Sequence, residues 1–280
     1  MNTTATTLRA ALAAAALAVI GSCATVASVE RLAADTLIPA TQERAMGEQY
    51  ATQIEGETQL YGDPEVDAYL NDLGQRLVRT SPQSPFAFSF KAVSDPSLNA
   101  FALPGGFCYV HTGLIAAADS EAELAAVMGH EVNHVTRRHG MRNLVRMYGI
   151  EQVTAKLGGA TAEGVAAVVQ QTGGAITVRS FGREDEREAD RYGVQAMYDA
   201  GYDPQGAVTF FEKLKAASGG ARDAGLLGRI LSTHPATDER IANIKAQIQT
   251  LPARSDAQKD SEEFQRIRAR VRESMGWGGA

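Results

Sequence analysis

Residues 120–140 restrict this chain more tightly than any other stretch. Ser120-Glu121-Ala122-Glu123 has the form of a capping box, in which a serine accepts a first-turn backbone N–H and a glutamate three residues on reaches back. Leu124, Val127 and Met128 supply an apolar face, and Gly140 a stop, so the spacing predicts a helix from 121 to about 139. Inside it stands His130-Glu131-Val132-Asn133-His134. Positions i and i+4 share a helix face, so a fold that keeps this helix presents two imidazoles to one point with a carboxylate beside them. The spacing suits a metal ion, with His130 and His134 as ligands and Glu131 placed to take a proton from water. Zinc takes N, S or O donors in tetrahedral array and, in a catalytic site, keeps one position open. The competing reading is an exposed helix with two unrelated histidines, and a third ligand would decide between them.

Candidates for that ligand lie in Glu184-Asp185-Glu186-Arg187-Glu188-Ala189-Asp190, which opens another helical pattern expected over 184–200 and closed by Gly201. Glu186 and Asp190 are four apart and share a face. Glu186 can ligate while Asp190 accepts the spare N–H of a ligand histidine, which orients the ring. Glu188 lies on a different face and is the alternative ligand.

Around these two helices the chain reads as mainly α with a small antiparallel β-sheet. Helical patterns cover 41–55, 63–80, 203–215, 237–249 and 261–274; the second opens on Asp63-Pro64, a cap residue and a proline at the first helical position. Residues 86–91 alternate as a strand, and 99–103 and 107–111 are two more short extended runs around Pro104-Gly105-Gly106. Residues 141–178 are rich in Gly, Ala and Val but interrupted by Glu151, Lys156 and Glu163, which argues against a membrane span and suits a helical lid. His139 is expected to close the zinc-type helix against its terminal carbonyls, and His111 to be structural. No basic patch is visible at a net charge of −6, and aromatics are only 6%, so nucleic acid is not an expected partner.

The first residues read differently. Residues 10–20 are an unbroken apolar run, too short to span a bilayer and suited to a signal-peptide core. Ile20-Gly21-Ser22-Cys23 follows, a small-residue stretch ending in Cys that resembles a bacterial lipoprotein cleavage box. Residues 1–22 are therefore expected as a lipoprotein signal peptide, Cys23 as the lipidation site and membrane anchor, and 23–40 as a tether. With only 2 cysteines and one of them acylated, no disulfide is expected, and Cys108 reads as a buried strand position.

Four motifs in order make the chain resemble the M48 zinc metallopeptidases, and in particular their exported bacterial members. They are Asn99-Ala100-Phe101-Ala102-Leu103-Pro104-Gly105-Gly106, Met128-Gly129-His130-Glu131-Val132-Asn133-His134, Phe181-Gly182-Arg183 through Glu186-Arg187-Glu188-Ala189-Asp190-Arg191, and Ser232-Thr233-His234-Pro235. The resemblance covers roughly residues 40–250, giving a peptidase domain over 41–250 and a C-terminal helix and tail over 251–280. It implies a zincin-type fold, one Zn²⁺ per chain, and Glu186 as third ligand. It makes Asn99, Ala100, Phe101, Ala102, Leu103, Gly105 and Gly106 an edge strand that an extended substrate can join. It places His234 near the metal, either stabilising the oxyanion or plugging the open position, with Arg240 facing the site. The implied activity is endopeptidase action on unfolded or misfolded envelope proteins, on the periplasmic side of the outer membrane. The alternative function is a zinc-holding chaperone or assembly factor for outer-membrane proteins.

Overall fold

The computed structural model describes residues 26–157, 164–165, 167–169, 181–218 and 234–277. The leader, Cys23, most of 158–180, and Ser232 and Thr233 lie outside the described residues. Described elements in chain order are α1 (Val26–Leu37), α2 (Ala40–Glu57), α3 (Pro64–Thr80), β1 (Ser89–Val93), β2 (Ala100–Leu103), a 3₁₀ turn (Pro104–Gly106) and β3 (Phe107–His111). Then come α4 (Thr112–Ala117), α5 (Glu121–Thr136), α6 (His139–Leu157), α7 (Arg183–Asp199), α8 (Gln205–Ser218), α9 (Asp238–Thr250) and α10 (Glu262–Ser274). Among the described residues no helix is long and apolar enough to cross a membrane.

Local chemistry sets most of these boundaries. Asp63 caps α3 by accepting the Glu65 N–H at 3.0 Å, Thr237 caps α9 and Ser261 caps α10. Ser120 caps α5 by accepting the Glu123 N–H at 3.4 Å, while the Glu123 carboxylate reaches back to the Asp119 N–H at 2.9 Å. Two readings change. The segment expected as a tether carries α1, with Ala34 and Ile38 fully buried. The helix expected to run to about 139 ends at Thr136, because Arg138 takes a left-handed φ of 55° and His139 begins α6.

The sheet is mixed rather than antiparallel. Its order is β1-β3-β2, with β1 parallel to β3 and β2 antiparallel to it. β2 is therefore an edge. His111 N–H donates to Asn99 O, and the register alternates from there, so the N–H and C=O groups of Ala100 and Ala102 point away from β3.

Two apolar cores flank this sheet. The larger gathers Leu70, Leu73 and Leu77 of α3, the buried face of α5, Val194 and Met197 of α7, Phe210 of α8 and Phe264 and Ile267 of α10. The smaller joins Ala34 and Ile38 to Met46 and Tyr50 of α2, Tyr109 of β3, and Met141, Leu144 and Val145 of α6. Within the larger core α5 and α7 cross at Gly129 and Gly193. A Cβ on Gly193 would stand 3.0 Å from the His130 nitrogen, so the absence of side chains there lets α7 lie directly against the HExxH segment.

Candidate metal centre

That close crossing sets four side chains around one point. His130 and His134 come from α5, Glu186 from the first turns of α7, and His234 from the segment before α9. All are buried, and one donor atom from each lies within 4.8 Å of the others. His130 Nε2 is 2.9 Å from His134 Nε2 and 3.2 Å from His234 Nδ1. Glu186 Oε1 is 2.8 Å from His234 Nδ1 and 3.6 Å from His134 Nε2, and Glu186 Oε2 is 3.5 Å from His130 Nε2. With zinc–ligand bonds of about 2.0–2.2 Å, the corners of a tetrahedron stand about 3.3–3.6 Å apart. The donor set and its spacing fit a zinc ion. Glu186 Oε2 is buried and accepts no in-line hydrogen bond, its charge being met by the Arg240 guanidinium 2.8 Å away.

The other faces of the two rings are held differently. Asp190 Oδ1 lies 2.9 Å from His130 Nδ1, close but out of line with the ring N–H. Arg240 grips Asp190 through Nε at 2.7 Å and Nη2 at 2.6 Å, and its Nη1 lies 2.8 Å from Glu186 Oε2 and 3.0 Å from Pro235 O. Arg240 thus ties α7 to the His234 segment through Asp190, Glu186 and Pro235. On the second ring, His134 Nδ1 is 2.8 Å from His139 Nδ1, and His139 Nε2 is 3.1 Å from Glu188 Oε2. Glu188 meets Arg31, Arg137 and Arg142 as well, and stands apart from the four-donor group. Geometry therefore favours Glu186 over Glu188 as the ligand. The Phe181 ring stacks over His134 at 4.0 Å between centroids.

Charge follows this arrangement. Burial alone lowers the His130 imidazole, but Asp190 and Glu186 lift it to about 9. Burial, helped by the His130 charge, pushes His134 well below its ordinary value. Burial would raise Glu186, and His234 and His130 more than reverse that. Glu131, fully enclosed, is raised by burial; its carboxylate lies near the outward Ala102 N–H of β2, which lowers it a little, and 3.6 Å from His234 Nε2.

The remaining expected residues fall into place around the centre. β2 carries Ala100, Phe101, Ala102 and Leu103, and Asn99 is buried just before it. Gly105 has φ +76°, and a Cβ there would stand 2.9 Å from Arg44 Cα, so the turn after β2 needs glycine. His111 is structural, its Nδ1 2.8 Å from Ser97 Oγ. Cys108 is a buried free thiol on β3. The sequence reading has His139 closing its helix and Glu188 as the alternative ligand; the structure instead sets His139 against His134 and Glu188 against His139 and three arginines.

The family model that matches this chain is peptidase family M48, over residues 64–248. The chain belongs to peptidase family M48. Among M48 relatives, the beta-barrel assembly-enhancing protease of Escherichia coli (strain K12) is 35% identical over 240 residues, 82% of this chain and 48% of that protein. The mitochondrial metalloendopeptidase OMA1 of Arabidopsis thaliana is 36% identical over 164 residues, 58% of this chain and 32% of that protein. The metalloprotease LoiP of Escherichia coli (strain K12) is 29% identical over 163 residues, 56% of this chain and 61% of that protein. The chain spans about half the length of the beta-barrel assembly-enhancing proteases it matches. M48 membership accords with the mainly helical fold, the small sheet and the buried metal-competent cluster.

Proposed function

We propose that this chain is a zinc-dependent endopeptidase, with His130, His134 and Glu186 as ligands and Glu131 as general base. The observation that carries the reading is the juxtaposition of the four-donor cluster with a strand edge that pairs with no other strand among the described residues. Glu131 belongs to the helix that bears the two histidine ligands and also lies near the outward Ala102 N–H. An extended peptide adding beside β2 would pair with Ala100 and Ala102, displacing Glu131 from the latter and laying its backbone along the metal centre. Zinc, when bound, supplies Lewis acidity toward the scissile carbonyl and acidifies water. Glu131 then takes a proton from water as the hydroxyl adds to the carbonyl carbon, and delivers it to the amine as the C–N bond breaks. Main-chain pairing at β2 makes the site suited to unfolded polypeptide rather than to one side-chain sequence.

His234 Nδ1 sits at the fourth corner in this state, and its Nε2 faces Glu131. We read it as a plug that leaves when substrate enters, after which it is close enough to support the oxyanion. We read residues 1–22 as a signal peptide and Cys23 as the acylated anchor. The proposed setting is the periplasmic side of the bacterial outer membrane, with misfolded or unassembled envelope proteins as substrates. The relative named a beta-barrel assembly-enhancing protease supports that setting. The peptidase domain is proposed over 41–250, with 251–280 as a C-terminal helix and tail.

Cleavage of casein or another unfolded protein by the zinc-loaded chain tests the reading. Glu131→Gln should retain zinc and lose cleavage by about 10²–10⁴-fold. Equal cleavage by variant and wild type would refute the proteolytic mechanism. An assembly factor without turnover would instead protect client proteins equally well in both forms.

A further inference from the structure

His139 is fully buried and lies among charged groups, yet nothing in the proposed hydrolysis uses it. Its Nδ1 faces His134 Nδ1 at 2.8 Å, and two ring nitrogens that close must share one proton, one donating and the other accepting. A His134 that offers Nε2 to a metal carries its proton on Nδ1 and is the donor. His139 Nδ1 then accepts, which leaves the His139 proton on Nε2, facing Glu188 Oε2 at 3.1 Å. Glu188 is fixed as an acceptor, because Arg142 donates to Oε2 at 2.6 Å and Arg137 to Oε1 at 2.9 Å. The reverse tautomer would turn a His139 lone pair onto that carboxylate. The hydrogen bonds therefore run in one direction, from His134 through His139 to Glu188.

We propose that His139 is a positioning residue for the metal ligand His134, a neutral imidazole relay that fixes the ligand's tautomer and ring angle and anchors it to Glu188. The backbone is shaped for this contact. On a continuous helix, positions five apart point about 140° away from each other. Only the left-handed Arg138 turns His139 back toward His134. Arg138 in turn is held by Glu43 at 2.7 Å and Asp35 at 3.0 Å. The inference rests on the metal-centre reading above and deepens it. Outer partners of ligand histidines typically set metal affinity by 10–100-fold.

The experiment is zinc affinity of the full chain by chelator competition, for wild type, His139→Phe and His139→Asn, with thermal melts of the zinc-free proteins. Phe keeps an aromatic ring but removes the acceptor; Asn puts a carbonyl oxygen where Nδ1 was. His139→Phe should bind zinc about 10–100-fold more weakly, and His139→Asn should recover most of that loss. Wild-type affinity in a folded His139→Phe, or equal weakness in both variants, would overturn the relay. If either variant fails to fold, ¹⁵N spectra of the zinc-loaded wild type decide. The relay requires His134 protonated on Nδ1 and His139 on Nε2; a proton on His139 Nδ1 contradicts it. A wild type that takes up no zinc sinks the metal centre itself, whereas zinc uptake with the wrong His139 tautomer sinks only the relay.

Discussion

The two histidines of one HExxH helix are supported in opposite ways. Behind His130 stands a charged clamp, Asp190 with the bidentate Arg240, built from α7 and α9 inside the larger core. Behind His134 stands a neutral ring, and the balancing carboxylate, Glu188, is one imidazole further out. The difference concerns charge. Glu131, Glu186 and Asp190 already gather round the centre, and a fourth carboxylate directly on His134 would crowd more negative charge into a space closed to water. The relay keeps the hydrogen bond and moves the charge outward, where three arginines meet it.

Breaking the charged arm should do the most damage. Asp190→Ala leaves Arg240 buried without its main partner, which should lower fold stability by about 3–5 kcal/mol and zinc affinity by 10–100-fold. Urea unfolding and chelator competition measure the two effects. If zinc affinity alone falls, Arg240 finds another partner, and the clamp is not a structural unit.

The neutral arm depends on the Arg138 turn, so its support is tested at Glu43. Burial, opposed by Arg138, raises the Glu43 carboxyl to about 7 from 4.5. A carboxyl held more tightly protonated in the fold contributes stability that is complete below pH 4.5 and is lost as pH rises through about 7. Wild type should therefore lose on the order of 3 kcal/mol more than Glu43→Gln between pH 4.5 and 8. Parallel urea-midpoint profiles for the two proteins would show that Glu43 does not titrate in this window. Smallest of all should be Arg31→Ala. Arg31 is half-exposed, and Arg137 and Arg142 remain on Glu188, so stability should change by less than about 1 kcal/mol, with zinc affinity nearly unchanged. A large loss of zinc in Arg31→Ala would mean that α1 governs the relay.

What the sequence discloses follows the same division. His130, Glu131 and His134 are legible because i,i+4 geometry is local, and Glu186 with Asp190 for the same reason. The relay is not, because it needs a helix break at a residue with no helix-breaking propensity. Arg138 adopts φ 55° only because its guanidinium meets Glu43, Asp35 and the Ala34 and Ile38 carbonyls of distant segments. The helix at 26–37 does carry a helical apolar spacing in its sequence, but reading 23–40 as a tether passes over it; the structure shows its apolar face packed against α6. The mixed sheet could not be deduced from three short extended runs, since strand direction is set by the connections around them. The family motif brings Arg240 near the site, but only the fold shows that it points at Asp190 and Glu186.

The central claim is that α5 and α7 together form one zinc site with Glu186 as its carboxylate ligand. The direct test is metal content after dialysis against limiting zinc, for wild type, Glu186→Ala and Glu188→Gln. Wild type should hold one zinc per chain, Glu186→Ala should lose it, and Glu188→Gln should keep a full but weaker-held complement. Zinc retained in Glu186→Ala and absent from a folded Glu188→Gln would contradict it.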